Sequence, residues 1–513
     1  MAQIFDGPAG DTTRQTSAPA VVVPWIAETT PATTRPKGDG PTTRGEGART
    51  SPPRQAPQDG DVLAAPPAPV LDGVVAPNRP VVPGDGDLSG DGRFFAPRPP
   101  TGLVHSVRGS IFARDPGRYG ASADGYFHKG GRPSSDPYAA LGIRAGSFLV
   151  FPEIVSEAVH TDNVFSTSGT SHSDKLVEVR PSLAIRSDWR RHALEFESSG
   201  LASFHDAFAS EDERAFQTVL RGRLDVRRRT RLTGEVGYAL TQEERNSLNF
   251  SAGAGKRPDV RTRTANLALE HRFNRLALRV RGALLETDED DTTLADGTID
   301  RADDESYRDR TLGLRAGYEF SPGHEFFADA EISRLDFGAP SDNDGILRDA
   351  DGHTLRLGLR KAFGARLSGE ASVGYGRYTP DDDRLEVVDG VLFDANVVWQ
   401  ASDLTRWRLA ARSGLGVTTL TGSLGSLNRS VGVDVRHAFR RYLYANAGVT
   451  YSIQDYGGVD LKEEDLVLTA GLEFYVSPDI SLSAGYAFDR FTSNQAGRNY
   501  DENDFHLGLR VRR

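Results

Sequence analysis

The clearest pattern of apolar and polar positions lies near the end of the chain. From Ile480 to Phe491 the sequence ISLSAGYAFDRF places Ile480, Leu482, Ala484, Tyr486 and Phe488 at alternate positions, with Ser481, Ser483, Gly485, Ala487 and Asp489 between them. FHLGLRVRR repeats the alternation with Phe505, Leu507, Leu509 and Val511. A period of two predicts strands with one apolar and one polar face. The pattern recurs about every 20 residues from about residue 145 to the last residue, which is the signature of a transmembrane β-barrel with its apolar face toward lipid.

Read this way, the chain predicts an all-β fold: an antiparallel up-and-down barrel of about 18 strands over residues 144–513. The first strand falls near 147–159 and the second over 175–186. Leu194 and Phe196 mark the third, Phe216, Leu220 and Leu224 the fourth, and Leu232, Val236 and Tyr238 the fifth. The series continues through Leu312, Leu314 and Tyr318, Leu355, Leu357 and Leu359, and Val431, Val433 and Val435 to the pair described above. Connections give an independent test. Every second one is short, as in FNR, SPGH, GAR and SPD, whereas the others are longer and polar, as over 160–173, 243–260 and 286–305. Short periplasmic turns and longer outer loops have this arrangement, and an even strand number returns both termini to the periplasmic side. Aromatics such as Tyr318, Phe320, Trp399, Trp407, Phe439, Tyr442, Phe474 and Tyr475 cluster beside the short turns, where an interfacial girdle belongs.

Residues 1–140 break the pattern. They hold 21 of the 28 prolines and show no apolar periodicity. Such a stretch cannot bury enough surface to offset its ordering entropy, so a disordered Pro/Gly/Thr-rich periplasmic tail is expected. It could contact peptidoglycan or a periplasmic partner, and GSIFARDPGRYG (109–120) could dock at the barrel mouth. The start has neither a basic region nor an apolar run of secretory type, so a signal sequence is expected upstream of it. The chain has no cysteine and a net charge of −11. These exclude disulfides and thiolate metal sites and argue against a nucleic-acid partner.

The segments YAALGIRAGSFLVFPEIVSEAVHTDNVF (138–165) and VRPSLAIRSDWRRHALEF (179–196) resemble the start of barrels in the proteobacterial family called putative beta-barrel porin 2. The resemblance extends more loosely to residue 513 and does not include the tail. It implies a porin-like barrel in a Gram-negative outer membrane, in contact with membrane lipid and lipopolysaccharide, and it supplies no catalytic motif. Outer-membrane barrels commonly end in an aromatic residue read by the insertion machinery; this chain ends in Arg513.

The polar faces predict what lines the lumen. They carry Arg180, Arg186, Glu195, Glu197, Arg221 and Arg223 in the early strands. Arg279, Arg281, Arg315, Glu331, Arg356, Arg360 and Glu370 follow, then Arg406, Arg408, Arg412, Asp434 and Arg436. Facing rows of arginine and acid narrow a pore and set up a transverse field. They also stiffen the wall as ladders of ion pairs. An excess of guanidinium favours anionic solutes. The expected function is porin-like passage of small, anionic solutes. The alternatives are an outer-membrane exit for an exopolysaccharide and a plugged barrel with a structural or adhesive role. No enzyme activity, cofactor or metal is expected: His192, His271 and His437 are isolated beside short turns, and the acidic loops match no defined calcium-loop spacing. The pattern carries no information on oligomeric state.

Overall fold

The computed structural model describes residues 138–513 except 139, 244–247, 249–256, 295–296, 342–343 and 364–365. The expectation of a disordered tail falls almost wholly outside the described residues. Eighteen long strands follow in order: β1 (Phe148–Thr161), β2 (Asp174–Ser187), β3 (Ala193–His205), β4 (Arg214–Arg227), β5 (Thr230–Gln242) and β6 (Asp259–Arg272). Next come β7 (Leu276–Glu289), β8 (Tyr307–Ser321), β9 (His324–Phe337), β10 (Ala350–Phe363), β11 (Leu367–Pro380) and β12 (Val388–Gln400). The last six are β13 (Thr405–Val417), β14 (Gly425–Arg440), β15 (Leu443–Tyr456), β16 (Lys462–Tyr475), β17 (Ile480–Ser493) and β18 (Tyr500–Arg512).

Each strand pairs antiparallel with the next, and β18 pairs with β1 from Glu153↔Arg512 to Thr161↔Asp504. The sheet is therefore closed. Closure matters because an open strand edge in hydrocarbon would leave a row of N–H and C=O groups without partners, each costing several kcal/mol. A path of paired residues that starts at Phe148 and runs once round the barrel returns to the first strand about 22 residues further on. At ~3.3 Å per residue and ~4.8 Å per strand, this stagger tilts the strands by about 40° and gives a backbone radius of about 18 Å for a circular section. The lumen is thus wide enough that side chains of one wall cannot fill it alone.

The alternation sorts side chains as expected. On β10, Leu355 and Leu357 are 57% and 60% exposed, whereas Arg356 between them is buried. Leu267, Val280, Leu312, Val373, Val391 and Leu507 continue the exposed apolar band round the outside. A soluble protein would not expose such a belt; in a bilayer it is the lipid-facing surface. Connections of two to five residues lie at the end that carries both termini, and connections of five to seventeen residues lie at the other. The tightest short turns need special backbone: Gly323 has φ +74° in the two-residue turn between β8 and β9.

The girdle forms beside the short turns. Phe320 stacks on Phe326 with centroids 4.5 Å apart, Trp399 faces Trp407 in register, and Tyr442 meets Phe474 edge-on. Tyr475 is the exception among the aromatics expected there. Because Phe474 points outward, alternation turns Tyr475 inward, where it is buried against Tyr444.

The two faces should respond oppositely to charge. Leu357→Arg, at the middle of the lipid face, should lower folding stability in bilayers by about 2–4 kcal/mol. Thr469→Arg, on the inner face near Gly448 and Asp434, should change it by less than about 1 kcal/mol. Denaturant titration of the protein folded into vesicles measures both.

Candidate functional site: the lumen and its outer constriction

The inner wall is built as ion-pair networks between neighbouring strands. On β2–β6, Arg186 Nε lies 2.6 Å from Glu195. Arg221 bridges Glu197 at 2.8 Å and Glu235 at 3.0 Å, and the Asn266 amide donates to Glu235. Arg180 pairs with Glu178, and Arg223 lies 3.5 Å from Asp225.

The largest network spans β6–β11. Arg279 pairs with Glu270. Arg281 donates to both carboxylate oxygens of Asp329, at 2.9 and 2.8 Å, and through Nε to Glu331 at 3.1 Å. Glu370 accepts from Arg315 at 2.9 Å and from Arg360 at 2.8 Å. Arg356 sits on β10 directly across from Asp329. Room for this layer comes from inward-facing glycines. A Cβ on Gly358 would stand 2.1 Å from the Phe327 ring, and that ring carries the Arg315 guanidinium 3.5 Å above its centroid. A side chain at 358 would displace Phe327 and with it the arginine.

A third network lies on β14–β18. Glu473 is fully buried between Arg436 and Arg510, at 3.5 and 3.0 Å. Between these regions, β13 presents Arg406, Arg408 and Arg412 in one row. Arg412 lies 3.4 Å from Asp394, Arg408 faces Asp434 in register, and Arg406 faces Gln400 and Arg436.

Several inward acids were missed by sequence reasoning. Glu157, Asp465, Glu502 and Asp504 all lie on the inner face and are buried, as does Asp489, which the alternation over 480–491 already placed on the polar face. Alternation could have found them: β16 starts at Lys462, β18 starts at Tyr500, and continuing the period of two assigns their faces. Their presence makes the wall sectored. Carboxylates dominate β16–β18 and β1, and guanidiniums dominate β13.

The outer end holds a second feature that alternation does not mark. Strands β12 and β13 pair only from Asp394↔Arg412 to Gln400↔Arg406, although β12 begins at Val388 and β13 ends at Val417. Above that point β13 and β14 stay paired with each other and with β15 but leave β12. From Ser413 to Leu420 every residue is buried, whichever way it points. Leu415, Val417, Leu424 and Leu427 pack against inner-wall residues Tyr378, Val388 and Leu392. A Cβ on inward-facing Gly390 would meet Leu427 at 2.4 Å. The end of the β13–β14 hairpin is therefore tucked inside the wall of β12. The Ser413 hydroxyl accepts from the Phe393 backbone N–H at 2.6 Å, occupying a group the split leaves behind. The β9–β10 loop holds the tip in place. Arg348, 1% exposed, donates to the carbonyls of Ser423 and Leu420, both at 3.1 Å, and pairs with Asp344 at 2.7 Å.

The acidic outer loops are largely paired with arginine. Asp381 bonds Arg334, which lowers its pKa, and hydrogen bonds from Arg384 hold the Asp382 carboxyl down to about 2. The interfacial histidines have structural partners. His271 and His437 each hydrogen-bond a threonine hydroxyl on the adjacent strand, at 2.8 and 2.9 Å, and each packs edge-on against a phenylalanine two residues on.

A search of curated proteins finds no match. Among solved structures, the chain is similar to the copper transporter OprC at 9% identity, over 72% of this chain and 82% of that one, with a TM-score of 0.43. It is also similar to the outer membrane protein opdK from Pseudomonas aeruginosa (11% identity, 71% and 99% covered, TM-score 0.37) and to OccAB4 from Acinetobacter baumannii (10% identity, 74% and 99% covered, TM-score 0.37). Residues 136–513 match the family described as putative beta-barrel porin 2, so the chain belongs to that family of outer-membrane β-barrels.

Proposed function

We propose that the protein is a passive channel for small polar solutes, with anionic groups guided along the arginine row of β13. The observation that carries this reading is a closed barrel of eighteen strands with an apolar outside and a charged inside, too wide for its own wall to fill. Most guanidiniums of the β2–β11 wall are engaged by carboxylates, and those pairs stiffen the barrel. Selectivity then rests on Arg406, Arg408 and Arg412, which follow one another along β13, with two strands between them and the acidic sector that begins at β16. A guanidinium offers a planar fork of donors suited to carboxylate and phosphate. The tucked hairpin lies above this row and narrows the outer end.

Two measurements follow. In a potassium chloride gradient across a planar bilayer, replacing Arg406, Arg408 and Arg412 together by Gln should shift the reversal potential toward cation preference, because three positive charges leave the pathway. An unchanged potential removes the row from the selectivity mechanism. Arg348→Ala should release the hairpin tip and raise the conductance and its fluctuations, with β-sheet content unchanged by circular dichroism.

A further inference from the structure

We propose that the tucked end of the β13–β14 hairpin is a gate: it swings out of the lumen and zips onto the upper edge of β12, which opens the outer end of the barrel. The register is already set for this movement. The pairs from Asp394↔Arg412 to Gln400↔Arg406 are the lower part of an ordinary antiparallel ladder. Continued upward without a shift, that ladder pairs Phe393 with Ser413, Val391 with Leu415 and Val388 with Thr418. Neither stretch contains a proline, so every residue in both can donate to the ladder.

The side chains are placed for it as well. Within the hairpin, β13 and β14 stay paired from Thr405↔His437 to Val417↔Gly425 with no register shift. One face therefore runs the whole length of the hairpin. Below the split it carries Trp407, Leu409 and Val431, which are exposed toward lipid. Above the split the same face carries Leu415, Val417 and Leu427, which lie against Tyr378, Val388 and Leu392 on the inner side of β11 and β12. Zipped onto β12, Leu415 would stand beside Val391, which is 59% exposed on the outer wall. The hairpin thus offers one apolar face to the inner wall in the first position and to lipid in the second.

The two positions trade one set of contacts for another. Tucking covers the apolar side chains of the inner wall. The β15–β16 loop closes over the gap, where a Cβ on Gly457 would stand 3.1 Å from Val388. Zipping uncovers those side chains and parts that contact. In return it completes the ladder along β12, where the Ser413 hydroxyl now takes the Phe393 N–H at 2.6 Å. The balance is set from outside both strands. Arg348 of the β9–β10 loop holds the tip through the carbonyls of Ser423 and Leu420, both at 3.1 Å, and is the latch. A second layer of sheet stands about 10 Å inside the wall behind it, so its withdrawal widens a mouth of about 18 Å backbone radius.

The role as a gate rests on the lumen being the solute path, but movement and conduction are read separately. The chain has no native cysteine, so an introduced pair of thiols reports alone. In the full chain folded into vesicles, Val391→Cys/Leu415→Cys reports the zipped position. While the hairpin is tucked, Val391 faces outward and Leu415 lies against the inner side of β12. A disulfide needs Cα atoms within about 7 Å and Cβ atoms turned toward each other, so this pair closes only after zipping. Gly390→Cys/Leu427→Cys reports the tucked position, where the two residues touch. With diamide as oxidant, we expect both pairs to close in the folded, heat-modifiable species. Arg348→Ala should speed closure of Val391→Cys/Leu415→Cys at least about three-fold, because the latch no longer favours the tucked position. Failure of that pair to close with or without Arg348, while Gly390→Cys/Leu427→Cys closes, overturns the movement. A closure rate that does not change with Arg348→Ala overturns the latch. In planar bilayers the protein locked by Val391→Cys/Leu415→Cys should conduct more than the one locked by Gly390→Cys/Leu427→Cys, and reduction should abolish the difference. Equal conductance overturns the gate. Closure of both pairs without conductance in any variant keeps the movement and rejects the channel.

Discussion

The structure depends first on the requirement that every backbone N–H and C=O in hydrocarbon be paired. The pairing of β18 with β1 meets it for the two strands that would otherwise be edges. With eighteen strands, the tilt and the radius then follow from the register closed on itself. That radius sets the problem the inner face must solve. It is too large to be filled by a packed apolar core, so the wall is lined by charged side chains that hold one another. Arg281 with Asp329 and Glu331, and Glu370 with Arg315 and Arg360, tie strands that are not all sequence neighbours. Truncating one partner of such a buried pair leaves the other uncompensated, which costs more than the pair contributes.

The one place where the wall departs from this plan is the outer end of β12 and β13. There the sheet splits, apolar residues face the lumen, and a hairpin lies against them. Paired strand ends would leave Val388, Leu392 and Tyr378 exposed to water inside the barrel. Tucking Leu415, Val417 and Leu427 over them removes that apolar surface and narrows the opening in the same step. Arg348 spends all its donors on the tip and its own loop, so the position of the hairpin is set from β9–β10 rather than from its own strands.

Much of this was legible in the sequence because a strand's side-chain period is fixed. Leu355, Leu357 and Leu359 against Arg356 and Arg360 assign their faces without any tertiary information, and eighteen such runs with alternating short and long connections establish the barrel. Tyr475 shows the limit of reading by composition: it stands beside the girdle residue Phe474 yet belongs to the opposite face. The acids Asp465, Glu502 and Asp504 escaped because the ends of those strands were drawn too short. The tucked hairpin was not legible. Residues 413–428 alternate well enough to pass as ordinary strand ends, and only the loss of pairing with β12 reveals that both of their faces are covered. In hindsight, leucines persisting into the outer loop at Leu420 and Leu424, with glycines at 390, 414, 416 and 425, were the available signal.

Passage of solutes, as proposed above, requires that this wide, charge-lined barrel be a water-filled path across the outer membrane. Single-channel recording of the full-length protein in planar bilayers tests it most directly. A water-filled path gives stable, discrete conductance steps from a species that also shows the heat-modifiable mobility of a folded barrel. Insertion of that same folded species without any conductance, at any voltage or salt concentration, would contradict it.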